Sequence, residues 1–440
     1  MLEKVDLLIQ GCLILPLSSR DIIKDGYIAI KNGEIVSLGK RVSADNMIAE
    51  RVIDGRGKVA MPGLINCHAH VAMTLLRGIA EDKPLEKWLK EAIWPLEARL
   101  TPEDIYAGAL LGCLEMIKSG TTCFADMYFH EEAVARAIEK SGLRASLAEG
   151  IIEAGNSLLG EKMLKASENF ARNFNGYAGG RVTAMLGPHA AYSCSPALLM
   201  KVKETAASLN LGIHIHLAES HELFKDFEKI YGCSETQFLD RLGLFKLHTL
   251  AAHCIDLSED DARILAGGRV NAVYVPVANM KLGLGTAKVR ALMDLGVNVA
   301  LGTDGPASNN VLDMFETMKV GALLQKCIYR NPASLSAYEV VRMATINGAK
   351  ALGLERFIGS LEVGKRADII LIDLSKPHLK PLHDIYACLV YSARGGDVDT
   401  VIVDGKILME NRKVETLNER EIMEKAEKHA YNLINQEDRN

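Results

Sequence analysis

The 440-residue sequence is short of several features, and each shortage removes a class of function. No uninterrupted apolar run approaches the ~20 residues that a membrane-crossing helix requires. No basic block stands out, and the formal charge is -5, which disfavours a nucleic-acid or anionic-membrane partner because nothing would neutralise phosphates. The start, Met1 to Asp6, has neither the basic opening nor the apolar core of a secretion signal. Nine cysteines, an odd number without a Cys-x-x-Cys pair, fit reduced thiols in a cytoplasm better than a disulfide framework. There is no internal repeat and no low-complexity segment. What remains is ordinary globular composition, 48% hydrophobic and 24% charged. At ~150 residues per domain, this length suggests about three domains.

Three regions follow from the patterning. Residues 1–61 read as a small β unit, with short strand-like runs at Val5 to Ile9, Gly26 to Ile30 and Glu34 to Leu38. The last two are joined through Asn32-Gly33, which supplies the two positive-φ positions of a tight hairpin. Residues 62–360 alternate strands with helices, the pattern of parallel strands joined by helical crossovers. One helix is predicted to start at Thr101-Pro-Glu-Asp104, with Thr101 as N-cap and Pro102 in the first turn, and to run through Lys118 to a stop at Gly120; others span Glu131 to Lys140 and Pro196 to Leu209. Apolar runs beginning near Leu64, Thr121, Arg144, Arg181, Gly212, Thr249, Asn271 and Asn298 make eight strands. The α/β class and that count predict a (β/α)8 TIM barrel, whose active site lies at the C-terminal ends of its strands. Over residues 361–440 β character returns at Ile369 to Ile372 and Asp399 to Asp404, before a helix from Glu419 to Asn435. These runs are expected to complete the first unit, giving a small β-sandwich domain formed from both chain ends.

Within the barrel region, His68 and His70 are separated by one residue, so on a strand both side chains point to one side. Alone, such a pair is more often structural. It has company at the ends of other predicted strands: Ile213-His-Ile-His-Leu-Ala-Glu219, Ala251-Ala-His-Cys254 and Leu301-Gly-Thr-Asp-Gly305. Three neutral imidazoles and a carboxylate suit one divalent metal, Zn²⁺ first and Fe²⁺ second. The ligand set read here is His68, His70, His216 and Asp304. Such an ion lowers the pKa of water to ~7. Glu219 is placed to carry a proton, and His253 to polarise the attacked centre or orient the hydroxide. Cys67 and Cys254 should face away as packing residues, and His214 should be a packed histidine one layer deeper.

The set Pro62-Gly-Leu-Ile-Asn-Cys-His-Ala-His70, His216, His253 and Leu301-Gly-Thr-Asp-Gly305 resembles the amidohydrolase superfamily over nearly the whole chain. Met73-Thr-Leu-Leu-Arg-Gly78, Glu81-Asp82, Trp88-Leu89, Asp126-Met-Tyr-Phe-His130, Gly187-Pro-His189 and Asp304-Gly-Pro-Ala-Ser-Asn309 look like its methylthioadenosine/S-adenosylhomocysteine deaminase branch, closest in pattern to 5′-deoxyadenosine deaminases. The resemblance implies hydrolytic deamination of an adenine ring at C6, with Glu219 protonating N1 and His253 and Asp304 assisting proton movement. It further implies that Glu97 and His189 hold the ribose hydroxyls and that Trp88 contacts substrate. It places Glu149 where homocysteine-binding members carry an arginine. A carboxylate there would repel the substrate's own carboxylate. A preference for neutral 5′ ends follows, and Glu149→Arg is expected to move selectivity towards S-adenosylhomocysteine. Tyr274-Val-Pro-Val-Ala-Asn279 departs from the family's His-Asn-Pro-x-Ser-Asn run. The implied partners are a small nucleoside and other copies of the same chain. A deaminase of a free base such as guanine or cytosine on the same fold is the alternative. A two-metal cyclic amidase and a non-catalytic barrel fit less well.

Overall fold

A computed structural model describes residues 3–44 and 47–435. Its centre is an eight-stranded parallel sheet with helices between successive strands. In chain order the strands are β1 (Leu64–Ala69), β2 (Thr121–Tyr128), β3 (Arg144–Ile151), β4 (Val182–Pro188), β5 (Ile213–Leu217), β6 (Thr249–His253), β7 (Val270–Tyr274) and β8 (Asn298–Leu301). Each pairs with the next, so the spatial order is the chain order. Every one of these strands falls on an apolar run of the sequence. Among the described residues no helix is long and apolar enough to cross a membrane.

The barrel closes between β8 and β1 by a side chain. Asn66 Oδ1 accepts the Thr303 N–H at 3.0 Å and its Nδ2 donates to Thr303 Oγ1 at 2.7 Å. One residue on, the Asp304 N–H donates to the His68 carbonyl at 2.9 Å. The approach is tight enough that a Cβ on Gly302 would sit 2.9 Å from the backbone nitrogen of His68. This seam fixes Asp304 beside the first histidine pair.

Local signals place the helices. Helix Pro102–Ser119 starts with a reciprocal capping box between Thr101 and Asp104 and stops at Gly120, whose φ is 86°. It begins at Pro102 behind the Thr101 N-cap, where the sequence places its start. The helices Glu131–Ser141, Pro196–Leu209 and Glu419–Asn435 match their predicted spans closely. Helices Ser157–Phe174 and Met314–Tyr329 were not read in the sequence, although Asn156 and Asp313 cap them.

Both chain ends build a second, nine-stranded mixed sheet. Lys58–Pro62 pairs antiparallel with Ile369–Asp373, which unites the two ends. The predicted hairpin joins Ile23–Lys31 to Glu34–Lys40 with Asn32 at φ 52° and Gly33 at φ 78°. Met47–Asp54, Lys406–Glu410 and Lys413–Val414 are strands beyond those read from the sequence. One core holds Leu7, Ile9, Ile28, Ile53, Ile369 and Ile402, drawn from both chain ends.

The sheet is tied to the barrel floor by a buried ion pair. Arg144, the first residue of β3, donates from Nε and Nη2 to the two Asp368 oxygens at 2.9 and 3.1 Å. Asp368 also accepts the Asp404 N–H at 2.8 Å. Removing one partner strands a buried charge, at a cost of about 3–5 kcal/mol. Asp368→Ala should therefore lower the unfolding free energy by about that amount in urea titration. A loss below about 1 kcal/mol, the range of a surface pair, would show that the contact is solvated.

Candidate metal and substrate site

The functional side chains gather where the C-terminal ends of the barrel strands meet. His68 lies on β1 and His70 just beyond it, with ring centroids 4.9 Å apart. His216 is near the end of β5, and its Nε2 is 3.4 Å from His70 Nε2. Asp304 follows β8, with Oδ1 3.2 Å from His70 Nε2 and 3.5 Å from His68 Nε2. The ligand atoms of His68, His70 and His216 lie within 4.8 Å of one another, as do those of His68, His253 and Asp304.

What aims these rings is the partner of each Nδ1. His70 Nδ1 is 2.6 Å from the Met127 carbonyl and His216 Nδ1 is 2.9 Å from the His189 carbonyl. A carbonyl only accepts, so both Nδ1 atoms carry hydrogen, and in the neutral rings both Nε2 atoms present lone pairs. His68 Nδ1 meets His214 Nε2 at 2.9 Å, and His253 Nδ1 meets Asn279 Oδ1 at 2.8 Å. His68 Nε2 is buried and makes no hydrogen bond. Converging imidazole nitrogens, one of them an orphaned buried acceptor, beside a buried carboxylate form a donor set that fits a divalent ion.

The electrostatics agree with that donor set except at His70, where burial lowers the ring but the Asp304 and Asp126 carboxylates outweigh it and raise it to about 9, so a proton there competes with a cation. Burial alone would raise the Asp304 carboxyl, but contacts to His68 and His70 outweigh it and hold the group well below its usual range. Burial lowers His68 to about 4, keeping it neutral. Burial followed by the surrounding histidines lowers His189 to about 3. Ser308 Oγ donates to the other Asp304 oxygen at 2.8 Å. Glu219, just after β5, is buried, which raises its pKa, and its Oε1 stands 3.7 Å from His253 Nε2.

The cavity above this centre is lined by Trp88, Glu97, His189, Glu219, His253 and Asp304 among others. Glu97 ends the helical strap Leu85–Glu97 that covers one side, and Tyr128 donates to its Oε1 at 2.7 Å. His189 follows β4, its Nδ1 2.9 Å from Ser193 Oγ. Eight of the ten residues singled out from the sequence thus line one cavity, and His68 joins them through the ligand cluster beneath it.

Glu149 is the tenth, and the structure does not bring it to the cavity. Its two oxygens accept the His130 and Glu131 N–H groups at 3.1 and 2.7 Å, capping helix Glu131–Ser141. Strand parity explains the placement. Glu149 pairs with Leu186, and Leu186 packs in the core between strands and helices. The expected effect of Glu149→Arg is therefore corrected: an arginine would deprive a helix N-terminus of its carboxylate and place a cation there.

Tyr128, Ser308, Asn279 and the Met127 carbonyl lie within motifs quoted from the sequence, but nothing in the sequence assigned them a partner. His214 lies deeper, as expected, yet it is more than packing, since it is the hydrogen-bond partner of His68. Cys67 and Cys254 are buried, and burial pushes the Cys254 thiol up to about 12, which leaves it inert. All nine cysteines are free thiols.

Comparison with known proteins agrees with this arrangement. The amidohydrolase family model matches residues 59–408. The chain is 50% identical over 434 residues, 98% of its length and all of the relative's, to 5-methylthioadenosine/S-adenosylhomocysteine deaminase of Pelotomaculum thermopropionicum. It is 48% identical over 430 residues, 98% of each chain, to 5′-deoxyadenosine deaminase of Methanosarcina mazei. Among solved structures, a zinc-bound adenosine deaminase from Xanthomonas campestris superposes with a TM-score of 0.93 at 33% identity, covering 98% of this chain and 99% of that one.

The His68–His214 contact generates a test. Loss of an outer partner of a ligating histidine costs about 10–100-fold in metal affinity. His214→Phe, which fills the same volume, should weaken metal retention by that factor in competition with a chelator. Unchanged retention would reduce His214 to packing.

Proposed function

The chain belongs to the amidohydrolase family, and on that footing we propose that it deaminates adenosine-type nucleosides at C6. The products are ammonia and the inosine analogue, and substrates with neutral 5′ ends are preferred. The observation that carries the reading is the single cavity in which the imidazole and carboxylate donor set, a buried glutamate and an unused imidazole all converge.

His68, His70, His216 and Asp304 would hold one divalent ion, zinc in the first instance. When bound, it supplies Lewis acidity and water acidic enough to serve as hydroxide at neutral pH. The remaining work falls to the chain's own groups. Glu219 is shielded from water, so its raised pKa suits it to take a proton at the reacting centre and pass it to ring N1. His253 Nε2, with Nδ1 committed to Asn279, accepts a hydrogen bond at the same centre. Asp304 is steadied through Ser308. Glu97 accepts from one ribose hydroxyl and His189 pairs with its neighbour, as a carboxylate and an imidazole can with a vicinal diol. Trp88 and its apolar neighbours on the strap exclude water from the ring.

Preference for a neutral 5′ end finds support in the cavity wall rather than in Glu149. Its charged lining residues are Glu97, Glu219 and Asp304, with no lysine or arginine among them. A substrate carboxylate would meet like charge and no cation. The reading includes a cytoplasmic location and assembly into a homo-oligomer.

Ammonia release from 5′-deoxyadenosine, 5′-methylthioadenosine, adenosine, S-adenosylhomocysteine and guanine tests the proposal directly. Activity on the neutral nucleosides should exceed that on S-adenosylhomocysteine in kcat/KM and be lost with a chelator. A clear preference for S-adenosylhomocysteine, or for guanine, would overturn it. Tyr128→Phe removes a hydrogen bond to a charged acceptor, an interaction of about 1.5–3 kcal/mol. It should raise KM about tenfold or more with kcat little changed. An unaltered KM would release Glu97 from ribose binding.

A further inference from the structure

His253 occupies an unusual backbone position. Its φ is 73° and that of Cys254 is 53°, two successive non-glycine residues in the left-handed region. Such strain persists where surrounding contacts over-determine it, and it clusters at functional sites. The backbone is held by the Cys254 N–H to Leu217 carbonyl bond and the Ile255 N–H to Ala218 carbonyl bond. The ring itself has one hydrogen-bonding anchor, Asn279, on the short helix Pro276–Lys281.

Asn279 is fully buried, and its Nδ2 has no partner among the described residues. An amide that leaves a buried donor unpaired is costly to keep, so its carbonyl must be needed where it is. With Oδ1 on the ring, His253 Nδ1 carries the hydrogen, and Nε2 turns a lone pair towards the centre, 3.7 Å from Glu219 Oε1. Turned over, the amide would donate to Nδ1 and make Nε2 a donor instead. His70 and His216 are fixed as Nδ1–H tautomers by carbonyls, and Asn279 Oδ1 imposes on His253 the form that backbone imposes on them.

Resting on the deaminase reading, we infer that Asn279 is a positioning residue that locks His253 as the Nδ1–H tautomer, so that Nε2 acts as a hydrogen-bond acceptor at the reacting centre. It is the last residue of Tyr274-Val-Pro-Val-Ala-Asn279, a run that departs from the family pattern. That position keeps its amide because the ring depends on it, whereas Tyr274 is turned away to Thr286 and Gln325.

The test is nitrogen NMR of zinc-loaded protein labelled with [15N]histidine, with the His253 signals identified by their loss in His253→Phe. The wild type should show a protonated Nδ1 and a bare Nε2. Asn279→Asp, whose carboxylate can only accept, should leave that signature unchanged. Asn279→Leu should move the hydrogen to Nε2 and lower kcat about 10–100-fold with KM unchanged. A wild-type Nε2–H signature, or an Asn279→Asp variant that switches tautomer, would show that the amide donates and would overturn the inference. So would an Asn279→Leu variant that keeps Nδ1–H. The aspartate arm decides the question even if the leucine variant does not fold. The spectra need no turnover, so a wild type that released no ammonia would fail the deaminase reading and leave the tautomer result standing.

Discussion

The structure depends on the hydrogen bonds that hold the outer nitrogens of its histidines. A barrel strand can deliver an imidazole to the right region, but it leaves the ring free to rotate and to choose its tautomer. The Met127 and His189 carbonyls remove that freedom for His70 and His216, and His214 and Asn279 are the corresponding partners of His68 and His253. Inward-facing lone pairs around a buried carboxylate are a poor arrangement without a cation and a good one with it. The carbonyl anchors come from the strands adjoining the ligand strands, so correct pairing of β1 with β2 and of β4 with β5 assembles the site.

The seam at β8 and β1 plays the same part for the carboxylate. Asn66 bridges the two strands with its side chain, and Gly302 lets them approach, so Asp304 arrives opposite His68 and His70. At the barrel floor, the Arg144–Asp368 pair fixes the second sheet against the start of β3. The small sheet contributes no side chain to the cavity lining. Its role is to brace the barrel, and chemistry is confined to the opposite rim.

Much of this was legible in the sequence. The barrel strands announce themselves because strands covered on both faces read as short continuous apolar runs. Ligands at the ends of such runs follow from strand geometry, since a two-residue spacing selects one face. Partners across strands are harder to read. Nothing in the order of residues says that the Met127 carbonyl meets His70 or that Asn279 meets His253, because those contacts depend on register between segments far apart in the chain. Glu149 is instructive in another way. Its parity, odd like Ala145, Leu147 and Ile151 in the helix-facing core, was there to be read, and it points away from the cavity. A resemblance to relatives carried a role onto the position, while the strand parity already turned it away from the cavity. Helix Ser157–Phe174 was legible too, since its apolar residues repeat at helical spacing and Asn156 marks its start.

The central claim is that residues spread from His68 to Asp304 bind one divalent ion in common. Anomalous X-ray diffraction from crystals of the zinc-loaded protein measures this directly. The account predicts one zinc per chain, within coordination distance of the Nε2 atoms of His68, His70 and His216 and of an Asp304 oxygen. Two ions in the cavity, or one ion that leaves Asp304 outside its coordination sphere, would contradict it.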